Sequence, residues 1–348
     1  MRKVNILALF VLAPFLGLWI ACSSFTGYAH ELIMPVEKVN VSLYALEESI
    51  NIVSKELSSV KSLADEQKSQ YEEHDETLKD LTKQAFQQKN MSDNIYEERI
   101  LTMLGQPIKV HASSKTEIKV FKLEELGYRG YIAKVKLYNP KAFKVVLAQD
   151  TLGEKETTLE VVQRTGALLG INGGGFYTEM REGKPYMVHI GNVVIDGKLI
   201  TPFNAYPGNL CFAGVNKTGR VIGGIMPEKE DLMALDPWQG VSFIPVLIKG
   251  GVSQSIPAEW AKTKQPRTIM GEYANGDLIM IVVDGRQSDW SSGVTLERLL
   301  DKLVELGVKE AYNLDGGGSS TFVYGNEVLN RPADGKLRSV VTNIVIMP

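Results

Sequence analysis

The sequence feature that most constrains the fold is a long segment, Glu37 to Leu104, that contains neither proline nor glycine. About six heptads of alternating three- and four-residue spacing indicate a coiled coil rather than a helix of a globular domain. A helix folded back onto the globular domain is the alternative, which the polar residues crowding its other faces disfavour. We therefore predict a coiled-coil stalk over residues 41–104 that makes the chain a homo-oligomer. The apolar residues of this pattern are Leu43, Leu46, Ile50, Val53, Leu57, Val60, Ala64, Tyr71, Leu78, Leu81 and Ala85.

The N-terminus carries an uncharged apolar segment, "VNILALFVLAPFLGLWIAC", directly after two basic residues. At about nineteen residues it is long enough to span a bilayer. A cleaved secretory signal and a lipoprotein acylated at Cys22 are the alternatives, but no clear small-x-small cleavage site follows. We predict an uncleaved signal anchor over residues 1–22 and a linker over 23–40. The positive-inside rule then predicts a single-pass cell-membrane protein that is extracytoplasmic after Ser23.

The composition narrows the class of protein. The formal net charge of −3 argues against nucleic-acid binding, for which a basic surface is usual. With 44% hydrophobic residues, a chain of 348 residues can bury a sizeable core. Two cysteines are too few for a disulfide framework.

The pattern changes after the helical segment, at "LGQP" (Leu104 to Pro107). The segment "YIAKVKLY" alternates as a half-buried strand should, and short β-like runs separated by glycine-rich turns continue to Pro348. Helical patterns occur near Thr157–Thr165 and at Thr295–Gly307. We therefore predict an α+β domain over residues 105–348, with a β-rich mixed sheet and a few packed helices.

Two β-like runs that each end in Asp-Gly flank the helix at Thr295. "LIMIVVDGR" precedes this helix and "KEAYNLDGGG" follows it, which is a βαβ arrangement. If the two strands are neighbours, Asp284 and Asp315 project from the same rim of the sheet, on strands about 5 Å apart. The sequence therefore predicts a pair of carboxylates at one edge.

Paired carboxylates suggest chemistry. Each raises the proton affinity of the other, so one can hold a proton while its partner is charged. Such a pair suits acid/base catalysis at a glycosidic or phosphate bond, or capture of a divalent cation such as calcium. The alternative is that each aspartate merely caps a turn. We predict that Asp284 and Asp315 are catalytic, and we assign no metal ligand and no required cofactor.

Two glycine clusters accompany these carboxylates. "INGGGFY" contains Asn172, Gly173 and Gly174, and consecutive N–H groups at such a turn can form a nest for an anion. The second cluster, in "NLDGGGSSTF", lacks the lysine of a nucleotide-binding loop. It consists of Gly316, Gly317, Gly318, Ser319, Ser320 and Thr321.

The motifs together resemble the phosphodiester glycosidase family over roughly residues 155–348. They are "INGGGFY", "PRTIMG", "VVDGRQSDWSSGVTLERLLDKLVELGVKEAYNLDGGGSSTF" and "LNRPADGKLRSVVTNIVI". The family commonly has Asn-Gly-Gly-Phe-Phe where this chain has "NGGGFY". The resemblance implies hydrolysis of the bond between an anomeric carbon and a phosphodiester. The substrate-binding groups would then be Asn172, the two glycine clusters, their hydroxyls, and Arg267, Arg286, Arg331 and Arg338, since guanidinium groups bind phosphate oxygens.

The resulting hypothesis is a membrane-tethered extracytoplasmic glycosidase that acts on sugar phosphodiesters of cell-envelope or exopolysaccharide glycans. One alternative is a non-catalytic carbohydrate- or wall-binding module displayed on the stalk, and another is a structural protein of the envelope. His189 is a further candidate acid or metal ligand, and Trp290 could stack on a sugar ring or serve in packing.

Overall fold

A computed structural model describes residues 13–20, 36–205 and 208–348. Residues 13–20 are helical, whereas the rest of the predicted anchor and most of the linker lie outside the described residues. Within the described ranges, no helix is long and apolar enough to cross a membrane. The chain divides into two compact units, Met1–Ala85 and Phe86–Pro348.

The stalk segment is one continuous helix, α1, of 69 residues from Val36 to Leu104. It ends where the sequence predicts, because Gly105 adopts φ 76° and its N–H donates to the carbonyl of Leu101. The apolar stripe is exposed, with 57% of Leu43 and 70% of Leu57 accessible. The helix is therefore confirmed, and its assembly into a coiled coil stays a prediction.

The last turns of α1 belong to the second unit. Ile100 is fully buried among the side chains of Phe121 and Leu123, and Glu97 forms an ion pair with Lys134. Asp93, Glu97 and Ile100 recur at i, i+4 and i+7, which places them on one face of the helix. The boundary between the units therefore falls within α1, rather than at residue 104 where the change of pattern placed it.

The second unit contains four further helices and twenty strands among the described residues. The helices are α2 Thr158–Thr165, α3 Lys229–Ala234, α4 Ala258–Ala261 and α5 Leu296–Glu305. The strands are β1 Lys109–Ala112, β2 Thr116–Glu125, β3 Tyr128–Leu137, β4 Phe143–Leu147, β5 Leu169–Asn172, β6 Phe176–Arg181, β7 Lys184–His189, β8 Val194–Ile195, β9 Lys198–Leu199, β10 Cys211–Asn216, β11 Val221–Gly224, β12 Pro237–Phe243, β13 Val246–Lys249, β14 Val252–Ser253, β15 Arg267–Tyr273, β16 Leu278–Val283, β17 Val308–Leu314, β18 Phe322–Tyr324, β19 Glu327–Val328 and β20 Thr342–Ile346.

The strands form an eight-stranded sheet, two five-stranded sheets and a hairpin. The orders are β1-β2-β3-β16-β15-β17-β13-β14, β11-β10-β12-β8-β9 and β19-β18-β5-β20-β4, with β6 and β7 paired separately. Among the described residues, every hydrogen-bonded pair of these strands is antiparallel. The expected mixed sheet with a parallel neighbouring pair is therefore wrong.

The predicted βαβ unit is present in a modified form. Strands β16 and β17 are joined by α5, and both pair antiparallel with β15, which lies between them. They are therefore parallel to each other and end at the same edge. Helix α5 begins as predicted, since Thr295 accepts a hydrogen bond from the N–H of Arg298, and it buries Leu299 and Leu303.

The eight-stranded sheet is covered on both faces. One face packs against the two five-stranded sheets, and the other packs against α5 and the end of α1. Strand β3 was predicted to be half-buried, but Lys134 is only 6% exposed and forms ion pairs with Asp277 and Glu97. The lysine that was expected to face solvent instead meets acidic partners, because α1 covers that face. These ion pairs lie at the start of β16, at the opposite end of that strand from Asp284.

Candidate active site

The candidate site lies at one rim of the eight-stranded sheet. Asp284 directly follows β16, and Asp315 directly follows β17. The two aspartates leave the same edge, as predicted. Because β15 lies between their strands, the strands are about 10 Å apart rather than 5 Å.

Asp284 is an internal hydrogen-bond acceptor. Its side chain is 1% exposed, and its two oxygens accept from Trp290 Nε1 at 2.8 Å, Asn330 Nδ2 at 2.9 Å and the N–H of Arg331 at 3.0 Å. Burial raises the pKa of this carboxyl, and the three hydrogen bonds offset part of the increase. Asp284 thus ties the loop after β16 to the segment Asn330–Arg331.

Asp315 has a different environment. Its side chain is half-buried, and burial raises its pKa to about 6. The Ser319 hydroxyl, the Arg338 guanidinium and the N–H of Gly316 offset part of this increase. From the sequence we expected repulsion between the two carboxylates to raise their pKa values. In the structure, burial is what raises the pKa of Asp284 and that of Asp315. Of the two predicted aspartates, Asp315 is therefore the one that a ligand can reach.

Ser319 provides a hydroxyl without a partner beside Asp315. It ends the 3₁₀ helix Gly317–Ser319, and its side chain is 0% exposed. Its Oγ lies close enough to lower the pKa of Asp315 but makes no hydrogen bond of standard geometry with any described residue. A buried hydroxyl without a partner costs free energy unless a ligand or water satisfies it. Ser319 is therefore a ligand-binding candidate with a structural argument of its own.

Asn172 holds the turn together from inside. Its Nδ2 donates to the carbonyl of Asp315 at 2.5 Å, and its Oδ1 accepts from Thr268 Oγ1 at 2.8 Å and from the N–H of Thr321 at 3.1 Å. Thr268 also contacts Ser320 Oγ at 3.4 Å. Asn172, Ser320 and Thr321 thus position the turn that carries Asp315, and all three are buried.

The first glycine cluster does not form the predicted anion nest. The N–H groups of Gly173 and Gly174 donate to the carbonyl and the hydroxyl of Thr342, and Gly175 N–H donates to the carbonyl of Ser242. The prediction is wrong because these donors bind neighbouring strands and leave no N–H for a ligand. The cluster instead allows strand β5 to approach β20 closely.

The second glycine cluster makes room for charged side chains. Gly317 has φ 59°, in the left-handed region that favours glycine. A Cβ on Gly318 would lie 2.3 Å from Arg338 Nη2 and 2.5 Å from Asp334 Oδ2. The turn Gly316–Gly318 therefore lets the loop that carries Arg338 lie directly against it.

The four predicted arginines have different environments. Arg267 is 3% exposed, its guanidinium donates to the carbonyls of Trp260, Thr263 and Val294, and burial lowers its pKa to about 10. This guanidinium is thus bound to backbone carbonyls in and next to α4 and just before α5.

Arg331 lies over the Trp290 ring, 3.9 Å from its centroid, and the Arg129 guanidinium lies 4.4 Å from the same ring. Arg286 and Arg338 flank the glycine turn, with 45% of each side chain exposed. Arg286 and Arg338 are therefore the two arginines that the structure brings to the turn carrying Asp315.

The two aromatic candidates are bound within the protein. The indole of Trp290 donates to Asp284 and packs under two guanidinium groups, so its packing role is the one observed. Burial lowers the pKa of His189 to about 4, which keeps the imidazole neutral near pH 7. In the part of the chain that the structure describes, no group of three or more His, Cys, Asp or Glu side chains is placed to hold a metal ion.

The sequence reasoning missed two residues that organise the rim. Asn330 Nδ2 joins Asp284 to the carbonyl of Ser320, and its Oδ1 accepts the N–H of Phe322 at 2.7 Å. Asp334 contacts both Arg286 and Arg338. Both lie in "LNRPADGKLR", where only the arginines were predicted to bind substrate, and the available signal was the polar residues next to those arginines and between them.

Comparison with known proteins places this geometry in context. A family model described as phosphodiester glycosidase matches residues 165–347. The N-acetylglucosamine-1-phosphodiester alpha-N-acetylglucosaminidase of Bos taurus is 29% identical over 196 residues, which cover 52% of this chain and 35% of the relative. The SPbeta prophage-derived uncharacterized protein YomE of Bacillus subtilis (strain 168) is 29% identical over 198 residues, which cover 55% and 30% of the two chains. The chain thus spans about a third of the length of the curated relatives it matches.

Solved structures share the fold. The catalytic domain of zebrafish N-acetylglucosamine-1-phosphodiester alpha-N-acetylglucosaminidase, auto-inhibited by its pro-peptide, aligns with a TM-score of 0.55 at 23% identity and covers 69% of this chain and 88% of that one. A hypothetical protein from Synechocystis aligns with a TM-score of 0.53 at 13% identity, covering 70% and 64%. Since the family model covers more than half of the sequence, the chain belongs to the phosphodiester glycosidase family.

Proposed function

We propose that this protein hydrolyses the bond between the anomeric carbon of a sugar and a phosphodiester. The observation that carries the proposal is the half-buried Asp315 beside the unpartnered Ser319 hydroxyl, on a glycine turn flanked by Arg286 and Arg338. The names of the vertebrate relatives, N-acetylglucosamine-1-phosphodiester alpha-N-acetylglucosaminidases, support the same bond type. An N-acetylglucosamine phosphodiester is accordingly the first substrate to test.

Asp315 acts on the sugar side of the bond. The phosphate leaves as a monoester that takes the C1–O electron pair and needs little protonation, so the greater need is for a nucleophile or a base that activates water. With a pKa of about 6, Asp315 is mostly ionised at pH 7 and still takes up a proton readily. We expect it to attack C1 or to accept a proton from the water that does so.

Arg286 and Arg338 bind the phosphodiester oxygens. Guanidinium groups match phosphate geometry and stay charged, and both side chains reach solvent at the turn. The Ser319 hydroxyl lies on the same turn as Asp315 and can donate to a substrate oxygen, which would satisfy it.

Asp284 serves as a positioning residue in this proposal. It is sealed from solvent and binds Trp290, Asn330 and Arg331, so it fixes the loops around the turn rather than touching substrate. The catalytic role that the sequence suggested for it is not carried forward, because both of its oxygens already accept hydrogen bonds from the protein.

The test is turnover of a panel of sugar-1-phosphodiesters, beginning with N-acetylglucosamine esters, by the native chain and its Asp315→Asn variant. We expect a loss of at least about 100-fold in kcat for this variant, the usual cost of removing a catalytic acid or base. Asp236→Asn is the matched control, since Asp236 is exposed and pairs with Lys217. It lies just before the first residue of β12, whereas Ser242, which binds the first glycine cluster, lies near the other end of that strand. Turnover by Asp315→Asn at the rate of the control would refute the assignment.

The cellular setting is part of the proposal. We infer a membrane anchor from the apolar N-terminal segment, and a self-associating stalk from the exposed apolar stripe of α1. The anchor and the stalk together suggest an extracytoplasmic enzyme that acts on envelope or exopolysaccharide glycans. Sedimentation equilibrium of residues 40–104 tests whether the stalk self-associates, and a monomer at high micromolar concentration would refute the proposed coiled coil. The alternative, a non-catalytic glycan-binding module, predicts that Asp315→Asn keeps its affinity for the glycan and that neither protein turns it over.

A further inference from the structure

The loop Arg331–Arg338 places a carboxylate on the two arginines that we assign to the phosphodiester. Asp334 Oδ2 accepts a hydrogen bond from Arg338 Nη2 at 3.1 Å, and Asp334 Oδ1 lies 3.8 Å from Arg286 Nη1. The side chain of Asp334 is 41% exposed and those of the arginines are each 45% exposed. A small anion from solvent can therefore compete with Asp334 for these guanidinium groups.

This carboxylate lies directly against the turn that carries Asp315 and Ser319. A Cβ added to Gly318 would meet Asp334 Oδ2 at 2.5 Å, and one added to Gly317 would meet Arg286 Nη2 at 3.0 Å. The unpartnered Ser319 hydroxyl follows on the same 3₁₀ helix. Asp334 thus belongs to the surface formed by Arg286, Arg338 and the turn Gly316–Gly318, to which we assign anion binding.

The charges at this surface discriminate between classes of anion. Arg286 and Arg338 carry a charge of +2, while Asp334 and the ionised Asp315 together carry −2, so the local sum is 0. A phosphodiester carries one negative charge, whereas a phosphate monoester carries between about −1.5 and −2 near pH 7. Because Coulomb repulsion by Asp334 grows with the charge of the anion, Asp334 disfavours a monoester more than a diester.

The loop is held in place without the arginines. Gly335 N–H donates to the carbonyl of Pro332 at 3.1 Å, and Gln287 Nε2 donates to the same carbonyl at 3.1 Å. The N–H of Arg331 is bound by Asp284. Neutralising Asp334 therefore changes the charge of the surface while the backbone that presents it keeps its hydrogen bonds.

We propose that Asp334 is a specificity-determining residue that weakens binding of dianionic phosphate monoesters relative to monoanionic phosphodiesters. The inference rests on the proposed function for the identity of these anions, since hydrolysis of the C1–O bond of a diester releases a monoester. By repelling the more highly charged product, Asp334 limits product inhibition at Arg286 and Arg338.

The experiment measures binding of two probe anions by isothermal titration calorimetry at about pH 8. Inorganic phosphate is the dianion and dimethyl phosphate the monoanion, and the proteins are the native chain, Asp334→Asn and Asp289→Asn. Asp289 is the matched control because it is 81% exposed and lies 3.9 Å from the guanidinium of Arg331. The Asp289→Asn substitution also removes one negative charge at this rim, but beside Arg331 instead of Arg286 and Arg338.

We expect Asp334→Asn to tighten inorganic phosphate about tenfold and dimethyl phosphate about threefold, because the Coulomb energy doubles with the charge of the anion. Asp289→Asn should change either affinity by less than about twofold, as is usual for exposed charges. Equal effects on the two anions, unchanged or weaker phosphate binding in Asp334→Asn, or no binding to any of the three proteins would overturn the inference.

These outcomes are distinct from failure of the proposed function. The calorimetric readout needs no turnover, whereas the assay of Asp315→Asn tests the reaction itself. In a protein that turns over phosphodiesters, the inference also predicts stronger inhibition of Asp334→Asn by inorganic phosphate.

Discussion

The raised pKa of Asp315 predicts a measurable cost in stability at neutral pH. Burial shifts the pKa of this carboxyl from 3.8 to about 6. Between these two values the folded chain binds more protons than the unfolded chain, so its free energy of unfolding falls as the pH rises. This cost in stability is absent below the pKa of the unfolded chain, 3.8, and reaches its full value above the pKa of the folded chain, about 6. A shift of about two units corresponds to about 3 kcal/mol.

Asp315→Asn removes this charge at every pH and is the perturbation that tests the reasoning. We expect the free energy of unfolding of the variant, relative to the native chain, to increase by about 2 kcal/mol between about pH 4.5 and about pH 8, because part of the cost is already present at the lower pH. The assay is urea unfolding followed by tryptophan fluorescence, which reports on Trp238, Trp260 and Trp290 in the second unit. Asp236→Asn should show no comparable pH-dependent difference. A difference for Asp315→Asn that is the same at both pH values would refute the desolvation argument.

Two further substitutions test the framework around the site. Asp284→Ala leaves Trp290 Nε1, Asn330 Nδ2 and the N–H of Arg331 without their acceptor, so we expect a loss of about 2–4 kcal/mol in urea unfolding, and an unchanged midpoint would contradict this. Ile100→Ala should cost the second unit about 2–5 kcal/mol because the side chain is fully buried, and an effect below about 0.5 kcal/mol would show that the end of α1 does not belong to this core.

Local sequence patterns predicted individual elements well. The long helix ends at Leu104 as "LGQP" indicated, and the helices near Thr157 and Thr295 have threonine N-caps. These features depend on propensity, capping and periodicity, which act over a few residues. The placement of two Asp-Gly turns at one edge was also predictable, because a single connecting helix returns the chain in the same direction.

Features that depend on distant parts of the chain were not predictable in the same way. Strand β15 inserts between β16 and β17, and no pattern within the two flanking strands specifies which third strand pairs with them. Lys134 reads as solvent-facing until Glu97 is brought against it from α1. The N–H donors of Gly173 and Gly174 look available to a ligand until the distant Thr342 is brought against them.

The two aspartates show how similar local sequences acquire different roles. Each follows a buried strand and precedes glycine, and burial raises the pKa of both carboxyls. Asp284 receives three strong donors, and such hydrogen bonds favour the charged form and hold the surrounding loops. At Asp315 the Ser319 hydroxyl, Arg338 and the N–H of Gly316 offset only part of the increase, and Asn172 binds the backbone carbonyl rather than the carboxylate.

The carboxylate of Asp315 therefore costs stability in the folded chain, and a substrate that offers it a hydrogen bond or a positive centre relieves that cost. In the proposed reaction, an oxocarbenium-like transition state at the anomeric carbon carries such a positive charge, so the burial that destabilises the folded chain would also favour catalysis. It follows that a variant which stabilises the folded chain by solvating or neutralising Asp315 should lose kcat in proportion. If a stabilised Asp315 variant kept full kcat, the stability cost and the catalysis would have separate origins.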